Sequence, residues 1–147
     1  MNPYTKLSTA FSLCCALALA PRAAQSQTNE IVFYAGVEAD RGGVILCGLY
    51  DDEDIWLTRD VTVGTKVKVD GNATVACTFD DIEPGVYAIA AIHDEDGDEE
   101  LDRVLGIPEE GYTTSRDAHY KGLYPDWEDA YFEYQGGRAK LSASMKY

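Results

Sequence analysis

The chain's clearest capacity for chemistry lies in residues 93–102, which read HDEDGDEELD. Acidic side chains occupy alternate positions of this stretch: Asp94, Asp96, Asp98, Glu100 and Asp102. Counted from Asp94, these are positions 1, 3, 5, 7 and 9 of a loop, the spacing at which calcium loops supply oxygen ligands, position 7 through its backbone carbonyl. Because Ca²⁺ takes about six to eight oxygen ligands, we expect this acidic loop (residues 94–102) to hold a calcium ion.

The acidic loop departs from the EF-hand pattern at two positions. That pattern has Gly at position 6 and Glu at position 12, where this chain has Glu99 and Leu105. Gly97 supplies a permissive backbone nearby. The loop also follows a predicted strand instead of a helix, so further oxygen ligands have to come from outside it. The candidates for these ligands are Glu109, Glu110 and Asp117.

Two features of this region have more than one interpretation. The acidic loop could instead be a solvated surface that keeps the protein soluble and binds no ion. His93 could be a metal ligand or a group that orients Asp94, whereas a hydrogen-bonded structural histidine is the commoner role. We therefore name Glu110 and His93 as additional ligands or as supports of the ligands, and leave that choice open.

The charge balance limits the partners of the chain. Its 147 residues include 12 Lys and Arg against 26 Asp and Glu, a formal net charge of −14. Phosphate binding needs clustered basic residues, so we expect no nucleic-acid partner. Anionic membrane surfaces are disfavoured for the same reason. The hydrophobic content of 46% nevertheless predicts a folded chain, and its length predicts one domain.

Residues 1–26 have the features of a secretory signal peptide. Lys6 precedes an apolar run over residues 7–20, and Ala24-Gln25-Ser26 fits the small-x-small cleavage rule. The run is too short to span a bilayer comfortably. We predict that residues 1–26 are removed and that residues 27–147 form one secreted domain of net charge −16, not inserted in a membrane. The periplasm is its expected compartment.

The remainder of the chain favours short strands separated by turns. Apolar and polar residues alternate, or apolar residues run together, in seven segments: 30–38, 43–50, 61–69, 73–79, 86–92, 130–134 and 139–147. Residues 93–127 carry no such pattern and are predicted to be a long, acidic, irregular stretch. Seven strands with this spacing predict an all-β fold, an antiparallel β-sandwich of immunoglobulin-like or transthyretin-like type with one long acidic loop.

Two cysteines, Cys47 and Cys77, remain after the predicted signal peptide. Each lies in the middle of the apolar face of its predicted strand. Because an exported protein meets an oxidising environment, we predict a disulfide between them. The alternative is a pair of buried free thiols.

The sequence gives little support to an enzyme. It contains no G-x-S-x-G, H-E-x-x-H or phosphate-binding glycine loop. Paired carboxylates leave a carboxylate-based hydrolase open, and a purely structural acidic domain without metal is the other alternative. We favour a non-catalytic binding or structural module. Aromatic residues between Tyr112 and Tyr131 could present a stacking surface to a protein or glycan ligand, or could cover one end of the sandwich.

Five motifs follow one another in a specific order: PGVYA at 84–88, HDEDGDEELD at 93–102, LGIP at 105–108, EGY at 110–112 and WEDAYF at 127–132. Together they resemble the bacterial family "domain of unknown function 2141". The resemblance covers about residues 30–147 and implies a secreted β-sandwich with a cysteine pair at Cys47 and Cys77; it implies no particular activity.

This chain departs from the family pattern within the acidic loop. Asp96 and Asp98 stand where the family usually has asparagines, and the two added charges favour a divalent ion. Glu99 stands near a usual glycine, and this exchange bears on the curvature of the loop.

Overall fold

The computed structural model describes residues 28–122 and 124–147, so the predicted signal peptide lies outside the described residues. The strands are β1 (Glu30–Gly36), β2 (Val44–Tyr50), β3 (Val63–Lys68), β4 (Thr74–Asp80), β5 (Gly85–Asp94), β6 (Arg103–Val104), β7 (Ile107–Pro108), β8 (Tyr112–Thr114), β9 (Phe132–Tyr134) and β10 (Arg138–Ser144). The helices are three 3₁₀ segments (Ala39–Arg41, Glu53–Ile55 and Ser115–Tyr120) and α1 (Trp127–Ala130).

Two sheets carry the fold. The first has the order β10-β1-β4, and the second has the order β3-β2-β5-β8. Strand β9 also pairs with β5, beside the residues of β5 that precede the β8 pairing. The hairpin β6–β7 forms a separate small sheet. The prediction of an all-β sandwich is confirmed.

The core lies between these two sheets. In β4 the side chains alternate strictly, so that Val75, Cys77 and Phe79 are buried while their neighbours are exposed. Ile45 and Leu49 of β2 are buried on the facing sheet. Period-two alternation sends every second side chain to one face, which is why the sequence pattern located both faces correctly.

A disulfide links the two sheets through the core. It joins Cys47 on β2 to Cys77 on β4, 30 residues apart in sequence. The predicted disulfide is therefore confirmed over the alternative of two free thiols. Its position links β2, an internal strand of the second sheet, to β4, an edge strand of the first.

One strand pair differs from the antiparallel expectation. Strand β10 pairs with β1 in parallel, with Glu30 opposite Arg138 and Gly36 opposite Ser144. Two paired strands must run antiparallel only where a short turn joins them. These are the first and last strands of the described domain, and no short connection joins them, so their relative direction is free of that constraint.

The prediction that residues 93–127 are irregular is wrong in part. This stretch contains the β6–β7 hairpin, β8 and the 3₁₀ segment Ser115–Tyr120. Strands of two or three residues are too short to show a hydrophobic period. The predicted strand 130–134 also begins later, because Ala130 ends α1 and β9 starts at Phe132. Within the described residues, no helix is long and apolar enough to cross a membrane.

Aromatic residues cover part of the outer face of the second sheet. Trp56 and Trp127 make an edge-on contact with ring centroids 5.9 Å apart. Both pack against a small buried cluster that includes Ala88 of β5. Trp127 thus covers part of the sandwich, which is one of the two roles considered for the aromatic stretch. Tyr120 and Tyr124 of the same stretch are exposed.

Candidate functional site

The acidic loop begins where the central strand β5 ends. Asp94 is the last residue of β5, pairs with Val44 of β2 and is fully buried. Gly43 lets the chain pack against it, because a Cβ at that position would lie 2.4 Å from the Asp94 carbonyl oxygen. Gly43 also has φ +71°, in the left-handed region that glycine favours. The sheet therefore holds the first candidate ligand of the loop in place.

Three of the five predicted carboxylates converge. Asp94, Asp96 and Asp98 each offer an oxygen, and these oxygens lie within 4.8 Å of one another. The Oδ1 atoms accept hydrogen bonds from the next turn of the loop: from the N–H of Gly97 at 2.7 Å, of Asp98 at 3.1 Å and of Glu100 at 2.8 Å. These bonds curl the backbone around the cluster and use one oxygen of each carboxylate.

Asp94 is the member of the cluster that water does not reach. It is 0% exposed, and its Oδ2 finds no hydrogen-bond partner among the described residues. A buried polar atom left without a partner costs about 1–3 kcal/mol, and buried carboxylates are normally paired or bound to metal. A cation between the three aspartates would compensate the charge of this buried carboxylate.

The backbone of the acidic loop turns sharply despite the glutamate at position 6. Gly97 has φ +89°, and Glu99, at position 6, has φ +63°. A non-glycine residue in this conformation costs about 1–2 kcal/mol. Glu99 therefore adopts the left-handed conformation that the EF-hand pattern assigns to glycine, and the departure at position 6 does not prevent the turn.

The glutamates of the loop turn away from the aspartate cluster and contact basic side chains. The three ion pairs are Arg41–Glu95 (3.0 Å), Lys66–Glu99 (2.9 Å) and Arg59–Glu100. Ion pairs on a surface contribute little stability, about 0–1 kcal/mol, so their main effect is orientation. The Glu100 carboxylate consequently lies outside the cluster, which leaves the backbone carbonyl as the oxygen that position 7 could offer.

Glu110 braces the two ends of the loop. Its Oε1 accepts the N–H of Glu95 at 2.8 Å, its Oε2 accepts the N–H of Asp102 at 3.3 Å, and the residue is only 6% exposed. Burial raises the pKa of the Glu110 carboxyl, and the two backbone N–H groups oppose that shift. Of the two roles considered for Glu110, support of the ligands is the one that these contacts describe.

The other predicted oxygen donors lie outside the convergent group. Loss of hydration raises the pKa of the Asp102 carboxyl, and the nearby Asp98 and Asp96 raise it further. Asp102 is therefore close enough to feel the cluster, although its oxygens are not among the convergent ones. Glu109 is exposed, and Asp117 lies by the outer face of the first sheet, near Tyr34.

His93 has both ring nitrogens engaged away from the cluster. Nε2 lies 2.6 Å from the Gly42 carbonyl, to which it can only donate, and Nδ1 therefore accepts from the Tyr147 hydroxyl at 2.7 Å. That hydroxyl also accepts the N–H of Glu38 at 3.0 Å. The structure does not bring His93 into the aspartate cluster; the ring ties β5 to the end of the described chain.

The sequence did not indicate the basic residues that hold the glutamates of the loop away from the aspartates. Arg41, Arg59 and Lys66 come from three other segments of the chain, and nothing in their local sequence links them to residues 94–102. Only the tertiary fold brings them to the loop.

The comparisons with known proteins identify a family. A family model described as "Uncharacterized protein conserved in bacteria (DUF2141)" matches residues 34–142, which include β2 to β9, the disulfide and the acidic loop. No match was found among curated proteins or solved structures. The resemblance inferred from the sequence motifs is confirmed, and this chain belongs to the bacterial DUF2141 family.

Proposed function

We propose that this protein is a secreted, periplasmic β-sandwich whose acidic loop binds one divalent cation, calcium, and that it works as a non-catalytic binding or structural module. One observation carries the proposal: the buried Asp94 carboxylate has an oxygen without a partner, in a cluster with Asp96 and Asp98. Solvation alone does not account for a carboxylate that water does not reach.

The donor set favours calcium among the common ions. All convergent atoms are carboxylate oxygens, whereas zinc and copper sites in proteins usually include nitrogen or sulfur ligands. The two cysteines form a disulfide, and His93 has no free nitrogen. Three converging carboxylates suit the high coordination number and flexible geometry of calcium better than the strict octahedron of magnesium.

The proposed ion has a structural role. Without it, three carboxylates within 4.8 Å repel one another. With it, the loop between β5 and the β6–β7 hairpin becomes fixed relative to the sheet. A loop held in this way can present a surface to a ligand, which is the binding role we propose.

Secretion rests on two observations of different kinds. Residues 1–26 read as a signal peptide. The Cys47–Cys77 disulfide fits an oxidising compartment such as the periplasm.

A carboxylate-based hydrolase is the less favoured alternative. Such enzymes place two acids on opposite sides of a bound substrate. The acids that line the main groove of the described structure, Asp98, Glu99 and Glu100, all come from one wall.

The test is thermal unfolding of the purified protein in calcium and in chelator. At a calcium concentration 100 times the dissociation constant, the ion should add about 2.7 kcal/mol, a rise of several degrees for a domain of this size. The rise should disappear in Asp96→Ala/Asp98→Ala.

The matched control is Glu83→Ala/Glu133→Ala, which removes two exposed acids far from the loop and should keep the calcium response. An equal response in both double variants, or no response up to millimolar calcium, would show that the acidic loop is a solvated surface without a metal site.

A further inference from the structure

The outer face of the second sheet is only partly covered. Trp56 and Trp127 cover its part near Ala88. The part around Leu46 and Ile92 opens into a groove of about 780 Å³. This volume lies in the range of small-molecule sites, about 300–1,000 Å³.

The floor and one wall of the groove are apolar. Leu46, Ala90 and Ile92 lie on the floor, and Leu57 and Val61 line the groove with 41% and 36% of their surface exposed. Exposed aliphatic side chains around a concave face are typical of ligand sites. The groove is therefore suited to an apolar body.

Basic side chains also line the groove, in a chain of net charge −14. Arg59 and Lys66 line the groove with their ion-pair partners from the acidic loop. Arg103 also lines it, lies over the Tyr124 ring at 5.0 Å from the centroid, and forms no ion pair with any residue in 28–122 or 124–147. An anionic group on a ligand would complement this guanidinium.

The floor excludes recognition of a peptide by strand addition. Strands β2 and β5 are internal to the sheet, and their backbone groups pair with β3, with each other and with β8 and β9. A peptide strand needs a free sheet edge for its main-chain hydrogen bonds. A ligand that lies on the floor of this groove therefore gains no main-chain hydrogen bonds from β2 or β5.

We propose that this groove binds a small organic carboxylate with an aliphatic or aromatic body. The body lies on Leu46, Ala90 and Ile92, and the carboxylate contacts Arg103. This inference goes beyond the metal site: Asp98 of the aspartate cluster lines the groove too, but the proposed contacts are the sheet face and Arg103.

The first experiment uses the fluorescent probe 8-anilinonaphthalene-1-sulfonate, an aromatic body with one anionic group. It is titrated against the purified, folded protein in calcium buffer and again in chelator. We expect saturable one-site binding in at least one buffer. Ala90→Leu should weaken it about tenfold by filling the groove, and Arg103→Gln should weaken it about tenfold by removing the charge-assisted contact.

The matched control is Ala76→Leu, which enlarges an exposed alanine on the outer face of the first sheet and should leave probe binding unchanged. Decanoate should displace the probe, and decanol at the same concentration should not. Arg103 is exposed, so Arg103→Gln remains informative if Ala90→Leu fails to fold.

The proposal is overturned by any of three results. These are no saturable binding in either buffer, Arg103→Gln binding as tightly as the original protein, or displacement by decanol as effective as displacement by decanoate. Because the titration is run in chelator too, probe binding in chelator tests the groove without calcium. The groove therefore stands even if the unfolding experiment finds no stabilisation by calcium.

Discussion

Replacing Asp94 with asparagine should stabilise the ion-free protein and abolish its response to calcium. The change keeps the Oδ1 atom that accepts the N–H of Gly97 at 2.7 Å. It replaces the unpartnered, buried Oδ2 with an amide group that can donate to Asp96 or Asp98. Residues that build a binding site often lower the stability of the empty site, and Asp94 fits that description.

The size of the effect follows from two contributions. Leaving a buried polar atom without a partner costs about 1–3 kcal/mol. Two unit charges 4.8 Å apart, the outer limit of the cluster, repel by about 0.9 kcal/mol in water. Relaxation of the loop lowers the sum, so we expect Asp94→Asn to raise the free energy of unfolding in chelator by about 1–2 kcal/mol, or about 4–8 °C.

The assay is thermal and urea unfolding of both proteins in chelator and in millimolar calcium. In calcium the order should reverse, because the original protein gains the binding free energy and Asp94→Asn does not. Asp98→Asn serves as the control, since it removes the same charge at an exposed position and should raise the ion-free stability by less. If Asp94→Asn is less stable than the original protein in chelator, the ionised carboxylate stabilises the fold by itself and the reasoning is refuted.

Two other predictions concern parts of the sandwich away from the loop. Cys47→Ala/Cys77→Ala should lower the free energy of unfolding by about 3–4 kcal/mol, the chain-entropy value for a link across 30 residues. The original protein with its disulfide reduced should lose the same amount of stability. A loss below about 1 kcal/mol would contradict this prediction. Burial lowers the pKa of His119; the nearby Asp117 opposes this shift and Lys146 reinforces it. The contribution of His119 to stability is therefore complete above its unfolded pKa of about 6.5 and declines as the pH falls below that value. Between pH 7 and pH 5 the original protein should therefore lose more stability than His119→Gln, and equal slopes in urea unfolding would refute this assignment.

The longer strands could be predicted because their local pattern agrees with their tertiary environment. β4 is buried on one face only, so its alternation is strict. β2 loses that alternation after Cys47, since Gly48 and Tyr50 are also buried, on the outer face of the sheet. Its apolar run still marked a strand. β8, with three residues and both faces buried, has no pattern that a sequence window could detect.

The candidate site was predictable to the extent that its contacts are local. Asp94, Asp96 and Asp98 accept hydrogen bonds from N–H groups only two or three residues further along the chain, so the spacing of the aspartates already predicted the turn. The position of His93 depends on Gly42 and Tyr147, which are 51 and 54 residues away. Pairing over such distances leaves no trace in a local window, and this is why the role of His93 stayed open.

The parallel pairing of β1 with β10 is another long-range contact that the local sequence does not predict. The sequence indicates that both segments are strands, whereas their pairing joins residues more than 100 positions apart in the chain, such as Glu30 and Arg138. A pattern of alternation carries no information about strand direction.

The most direct test of the metal site is calcium binding itself, measured by isothermal titration calorimetry on purified protein freed of metal. We expect one calcium ion to bind per chain of the original protein and none to bind Asp96→Ala/Asp98→Ala. Absence of binding at millimolar calcium in the original protein, or an unchanged isotherm in the double variant, would contradict it.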